Sequence, residues 1–106
     1  MSNNILVREA RRRREIFQNL PHYLQKIKEA VKQLDNEARL YLFGSAARGD
    51  HIYTSDIDIL IITKLHPAHV IAHLRKLGFD EPFQLHVAWG ERAEMYLQSA
   101  DKLVEL

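Results

Sequence analysis

The chain has 106 residues, 46% of them hydrophobic and 27% charged, with a formal net charge of +1. That composition fits one globular domain with a single core and excludes a strongly acidic or basic scaffold. It contains no cysteine, which rules out disulfides, thiolate metal sites and a cysteine nucleophile. No apolar run approaches the ~20 residues of a membrane helix, and the first residues lack an apolar signal core, so a cytoplasmic location without membrane contact is expected.

Taken in chain order, residues 4–18 read as a helix with Ile5, Leu6, Ile16 and Phe17 as its apolar positions. Arg8 and Arg11 to Arg14 place five of the fifteen basic residues in this one segment. Four consecutive arginines point all around a helix axis at about 100° per residue, so they form no single stripe. A solvated surface with Glu9 and Glu15 as partners is expected, and nucleic acid is not the expected ligand. Asn19-Leu20-Pro21 interrupts the pattern, and Pro21 suits the first turn of a second helix. Leu24, Ile27, Val31 and Leu34 then recur at amphipathic spacing until Asp35-Asn36.

Arg39 to Phe43 is a short strand candidate that runs straight into Gly44-Ser45. Ala46 to Arg48 make a brief helical turn stopped by Gly49-Asp50, and a loop leads to a second strand at about residues 57–63. Pro67 opens a helix with Val70, Ile71, Leu74 and Leu77 as its core face and Gly78 as its stop. Phe83 to Trp89 alternates as a third strand, with Phe83, Leu85 and Val87 on one side and Gln84 and His86 on the other. Residues 91–97 suggest a helix, and residues 101–106 a short tail helix. Trp89, Met95 and Tyr96 read as core or interface residues. His69 and His73, four apart on a helix, read as a solvated pair. The expected fold is an α/β (α+β) domain, with a small mixed β-sheet flanked by helices and preceded by N-terminal helices. Residues 1–106 form one domain, with residues 1–36 as the helical region and residues 39–106 carrying the sheet and motifs.

The chemistry concentrates in Phe43-Gly44-Ser45-Ala46-Ala47-Arg48-Gly49-Asp50 and Thr54-Ser55-Asp56-Ile57-Asp58. Asp56 and Asp58 open an apolar run, and residues two apart on a strand share a face. Two carboxylates about 4 Å apart repel by roughly 4 kcal/mol in a near-surface dielectric, a conflict that a cation removes. Gly44 lets a phosphate approach the backbone, and Ser45 offers a hydroxyl and an amide to it. Arg48 can reach the same phosphates or pair with an acidic neighbour. Ser55 can brace the turn into the strand. A Gly-Ser turn alone is commonplace, as is Asp-x-Asp alone. Together at this spacing they point to phosphoryl or nucleotidyl transfer on a Mg-bound triphosphate.

Gly44-Ser45-x-x-Arg48-Gly49 followed by Ser55-Asp56-x-Asp58 resembles the signature of the DNA polymerase β-type nucleotidyltransferase superfamily. It is most similar to the minimal nucleotidyltransferases, which often pair with HEPN-domain proteins. The resemblance implies the nucleotidyltransferase fold, with Gly44, Ser45, Arg48 and Ser55 at the nucleotide and Asp56 and Asp58 as catalytic ligands of two Mg²⁺ ions. It implies transfer of a nucleoside monophosphate, AMP from ATP, to a tyrosine hydroxyl of a HEPN-domain toxin, with this chain as the antitoxin. The N-terminal helices could serve that partner or a second copy of the chain.

Active members of the superfamily carry a third carboxylate on a neighbouring strand, and here the matching place holds Gln84 or His86. Neither is an anion. A neutral imidazole can accept a proton or bind a metal, although Mg²⁺ prefers oxygen. Glu81 precedes the strand and is a further anion within reach. The alternative to an enzyme is a catalytically weak nucleotide-binding module that neutralises a protein partner by binding it.

Overall fold

The computed structural model describes residues 2–106, with side-chain surroundings from Asn4 onward. Met1, the first position of the expected helical region, lies outside the described residues. The elements are α1 (Ser2–Gln18), α2 (Leu20–Leu34), β1 (Arg39–Phe43), α3 (Gly44–Arg48), β2 (Ile57–Ile62), α4 (Pro67–Lys76), β3 (Phe83–Ala88), α5 (Glu91–Ser99) and β4 (Val104–Glu105). This is a mixed α+β fold around a four-stranded sheet of order β3-β2-β1-β4.

The apolar periodicities explain the layers. Leu24, Ile27 and Val31 bury one face of α2, and Val70 and Leu74 bury one face of α4. Both meet the sheet face formed by Leu40, Leu42, Ile57, Ile59, Ile61, Phe83 and Val87. The opposite face, with Tyr41, Leu60, Ile62 and Ala88, packs against Ala93, Tyr96 and Leu97 of α5. Coverage on both sides is why β2 reads as a continuous apolar run rather than an alternating one.

β2 runs antiparallel to β1, pairing Phe43 with Asp58 and Arg39 with Ile62. It runs parallel to β3, pairing Asp58 with Gln84 and Leu60 with His86. The Gly-Ser segment, both motif carboxylates and the start of β3 therefore collect at one end of the sheet. The parallel β2–β3 pair needs a crossover connection, which α4 supplies.

Two expectations are corrected and a third is narrowed. Residues 101–106 hold no helix. Val104 and Glu105 instead pair with Leu42 and Tyr41, and Leu106 N–H donates to Leu40 C=O at 2.9 Å. The open edge of β1 offers this segment ladder hydrogen bonds, and Leu103 and Leu106 reach opposite core clusters. Leu77 is 53% exposed, because it stands past the last turn of α4 while Phe79 packs onto the core. Trp89 and Met95 are exposed at 55% and 68%, which removes the core alternative from their core-or-interface reading.

The arginine cluster also finds other partners than Glu9 and Glu15. Arg12 binds the carboxylate of Asp80 at 2.7 Å and the carbonyl of Glu81. Arg13 binds the Glu81 carboxylate at 2.5 Å and the carbonyls of Tyr53 and Ser55, both at 3.2 Å. Arg8, Arg11 and Arg14 stay exposed.

Candidate functional site

The site begins where β1 ends. Phe43 is extended and serves as N-cap to α3, a single turn that closes on Gly49 in the left-handed conformation. Gly44 itself has φ +70°, a region that costs an L side chain roughly 1–2 kcal/mol. A Cβ at this position would collide with Oδ2 of Asp58. Glycine at 44 thus serves two needs, a positive φ and close approach of backbone to carboxylate. Ser45 is half-buried, and its carbonyl accepts from Gly49 N–H at 2.9 Å and Asp50 N–H at 3.2 Å.

Arg48 pairs with Asp50 at 3.2 Å and approaches Asp101 at 3.9 Å, with its side chain 41% exposed. Of the two expectations for Arg48, the structure displays the pairing with an acidic neighbour. Ser55 braces its own turn: its hydroxyl accepts from Ile52 N–H at 3.0 Å, and its amide donates to Ile52 C=O at 2.9 Å. The loop before β2 is also fastened to α1. Phe17 stacks on His51 at 5.0 Å, Arg14 lies over the Tyr53 ring at 5.8 Å, and Arg13 holds the two loop carbonyls. The arginines thereby position the approach to Asp56.

Asp56 stands exposed one residue before β2, and Asp58 is half-buried within it. The nearest titratable partner of Asp58 is His86, whose Nε2 lies 3.2 Å from Oδ1. His86 sits diagonally across from Asp58, two residues beyond Gln84 on the same face. Its other nitrogen, Nδ1, is 3.3 Å from the Tyr96 hydroxyl. Phe43 packs edge-on against both rings, at 5.1 Å from His86 and 6.1 Å from Tyr96. Gln84 is exposed and makes no side-chain hydrogen bond among the described residues. Glu81 is drawn to Arg13 and is 70% exposed, so it supplies no anion beside Asp58.

Among the described residues, no three His, Asp or Glu side chains converge as a metal-binding group. The donor set fits one divalent cation that shares its coordination with substrate phosphates and water, the usual manner of Mg²⁺. It does not fit two, since the neighbouring strand contributes no carboxylate.

A small cavity of about 320 Å³ adjoins Tyr96, between Arg92, Met95 and Ser99. A larger one, about 570 Å³, lies elsewhere, lined by residues including Arg39, Ile62, Trp89 and Glu94. Arg39 and Ile62 close the opposite end of the β1–β2 ladder from Phe43 and Asp58, four strand residues or about 13 Å away. Size alone therefore does not mark the chemistry here.

The model of the nucleotidyltransferase domain family matches residues 24–104, from α2 through β4. The chain belongs to the nucleotidyltransferase domain family. A crystal structure described as a "putative nucleotidyltransferase" is 28% identical, with a TM-score of 0.67, over 79% of this chain and 97% of that one. A second, from Sulfolobus solfataricus and described in the same words, is 24% identical, with a TM-score of 0.60, over 88% of this chain and 84% of that one, and bears on the fold alone. No curated protein matches significantly. No helix among the described residues of this nucleotidyltransferase domain is long and apolar enough to cross a membrane. The residue that sequence reasoning left out of the site is Tyr96. Its place ten positions after His86, on a separate helix, carries no periodic signal.

Proposed function

We propose that this chain transfers a nucleoside monophosphate, AMP from ATP, to a hydroxyl on a protein partner, within one minimal nucleotidyltransferase domain. The observation that carries this reading is the contact of Gly44 with the Asp58 carboxylate, which brings the Gly-Ser turn and the acidic strand to a single point. Family membership supports nucleotidyl transfer as the reaction class.

In this reading Gly44 and Ser45 hold the triphosphate by close backbone approach and a hydroxyl. Asp56 and Asp58 would hold a divalent cation, which when bound neutralises charge on the phosphates. Arg48 would exchange its partner Asp50 for a phosphate, a better match for a guanidinium. The acceptor oxygen bonds to the α-phosphorus as the bond to pyrophosphate breaks, and the hydroxyl proton leaves to solvent. The resemblance of Gly44-Ser45-x-x-Arg48-Gly49 and Ser55-Asp56-x-Asp58 to the minimal nucleotidyltransferases suggests a tyrosine of a HEPN-domain toxin as target, an antitoxin role and a cytoplasmic setting.

A second reading, a binding module without turnover, is favoured by one observation: the neighbouring strand offers Asp58 an imidazole rather than an acid. Incubation with Mg²⁺, labelled ATP and a HEPN-domain protein as candidate acceptor separates the two. Label on the partner that disappears with Asp58→Asn supports transfer. A tight complex that never acquires label rejects it and leaves the binding module.

A further inference from the structure

We propose that His86 and Tyr96 make this a single-cation site, with His86 acting as a hydrogen-bond donor to Asp58 rather than as a metal ligand or a base. The inference rests on the nucleotide-binding reading above and specifies how its carboxylates are used.

The argument starts from hydrogen bookkeeping at the imidazole. Nε2 lies 3.2 Å from Asp58 Oδ1, and an ionised carboxylate only accepts. Nε2 therefore carries the hydrogen whichever charge the ring bears, and in that state it has no lone pair to offer a cation. In the neutral ring Nδ1 must then accept, and the Tyr96 hydroxyl at 3.3 Å donates to it. Tyr96 thus satisfies the only tautomer that Asp58 tolerates, in the manner of partners that fix the ring orientation of a functional histidine. Phe43 closes on both rings, which limits the room for the imidazole to turn over.

The consequence falls on Asp58. One oxygen is bound to His86 and the other faces Gly44. The carboxylate is thereby clamped with one free edge toward the Gly-Ser turn. A second cation would have to sit next to an N–H donor whose positive end points into the site. It would also lack a third anion, because Gln84 is uncharged and Glu81 is held by Arg13. Tyr96 touches none of the reacting atoms and is a positioning residue.

Counting Mn²⁺ bound per chain, by electron paramagnetic resonance with a non-hydrolysable ATP analogue, tests the proposal. The wild-type chain should bind one Mn²⁺, and His86→Asp should bind two. Two ions in the wild type overturn the inference while leaving nucleotide binding intact. No ion and no nucleotide overturn both it and the reading beneath it. His86→Asp remaining at one shows that His86 is not what excludes the second. Should that variant fail to fold, imidazole nitrogen NMR of the wild type decides. Nε2 should keep its hydrogen when Mg²⁺ and the analogue are added, and its loss refutes the donor role. Tyr96→Phe should retain the melting temperature yet exchange the Nε2 hydrogen several-fold faster. Unchanged exchange removes Tyr96 from the proposal.

Discussion

Gly44 and Asp58 are in close approach: a methyl group on the first would collide with the second's carboxylate oxygen. Gly49, only five residues on, has a similar positive φ of 82° but open space around it. The pair therefore separates backbone strain from site geometry. Gly49→Ala should lose roughly 1–2 kcal/mol of stability through strain alone and keep nucleotide binding. Gly44→Ala should lose at least as much and also displace Asp58, abolishing binding. Urea unfolding alongside fluorescent-ATP titration checks both, and equal binding by the two variants would contradict the contact.

Asp35 links the end of α2 to the end of β2. Thr63 is buried at 2% exposure, and its hydroxyl donates to Asp35 at 2.6 Å, while Glu37 N–H donates to the other oxygen at 3.0 Å. The Thr63 hydrogen bond, followed by that from Glu37, holds the Asp35 carboxyl below its ordinary value. A depressed carboxylate contributes stability that is fully present above its unfolded value, about 3.9, and lost as pH falls through the lower folded value. Asp35→Asn should therefore be less stable than the wild type at pH 7, with the gap narrowing below pH ~4. Thr63→Val should cost about 1–2 kcal/mol at neutral pH by leaving the carboxylate short of a partner. Urea midpoints across pH measure both, and a gap that widens in acid would refute the assignment.

Arg13 joins three groups that lie far from it in sequence: Tyr53, Ser55 and Glu81. Its side chain is 15% exposed against 70% for Glu81, so the bonds to the loop carbonyls matter more than the ion pair. Arg13→Ala should speed amide hydrogen exchange through residues 52–56 and weaken nucleotide binding several-fold. Glu81→Gln should change stability by less than about 1 kcal/mol, as exposed ion pairs do. Hydrogen exchange by mass spectrometry distinguishes them, and an unaltered loop in Arg13→Ala would sink the anchoring role.

Ile59 at the centre of β2 has no exposed surface, and Met95 on α5 is 68% exposed. Ile59→Ala should cost 2–5 kcal/mol through lost burial and a residual cavity, whereas Met95→Ala should stay within about 0.5 kcal/mol. Thermal unfolding of the two variants provides the comparison. A large loss at Met95 would mean that α5 is packed in solution against something other than the sheet.

Much of the molecule was legible in the chain because the relevant signals are local. The 3.6-residue period of Leu24, Ile27 and Val31 and the apolar run of β2 placed the helices and the central strand. Pro21, Pro67 and Gly78 marked helix ends, because each restricts or frees its own backbone. The tail was misread for the same reason. Residues 101–106 carry no strand pattern of their own and become a strand only because β1 leaves an edge unpaired.

By itself the sequence determined the family signature and the order of elements: Gly44-Ser45 after one strand, Asp56 and Asp58 at the head of the next. It left open whether Gln84 or His86 faces the acids, since period two puts both on one face. Only the tertiary structure decided that, through the diagonal reach of His86 to Asp58 and the arrival of Tyr96 from α5. It likewise gave Arg12 and Arg13 their partners from distant loops. Dihedral preferences and apolar periods are written along a few neighbouring residues. Which polar atoms meet depends on how strands and helices dock across tens of positions, and no local pattern encodes that.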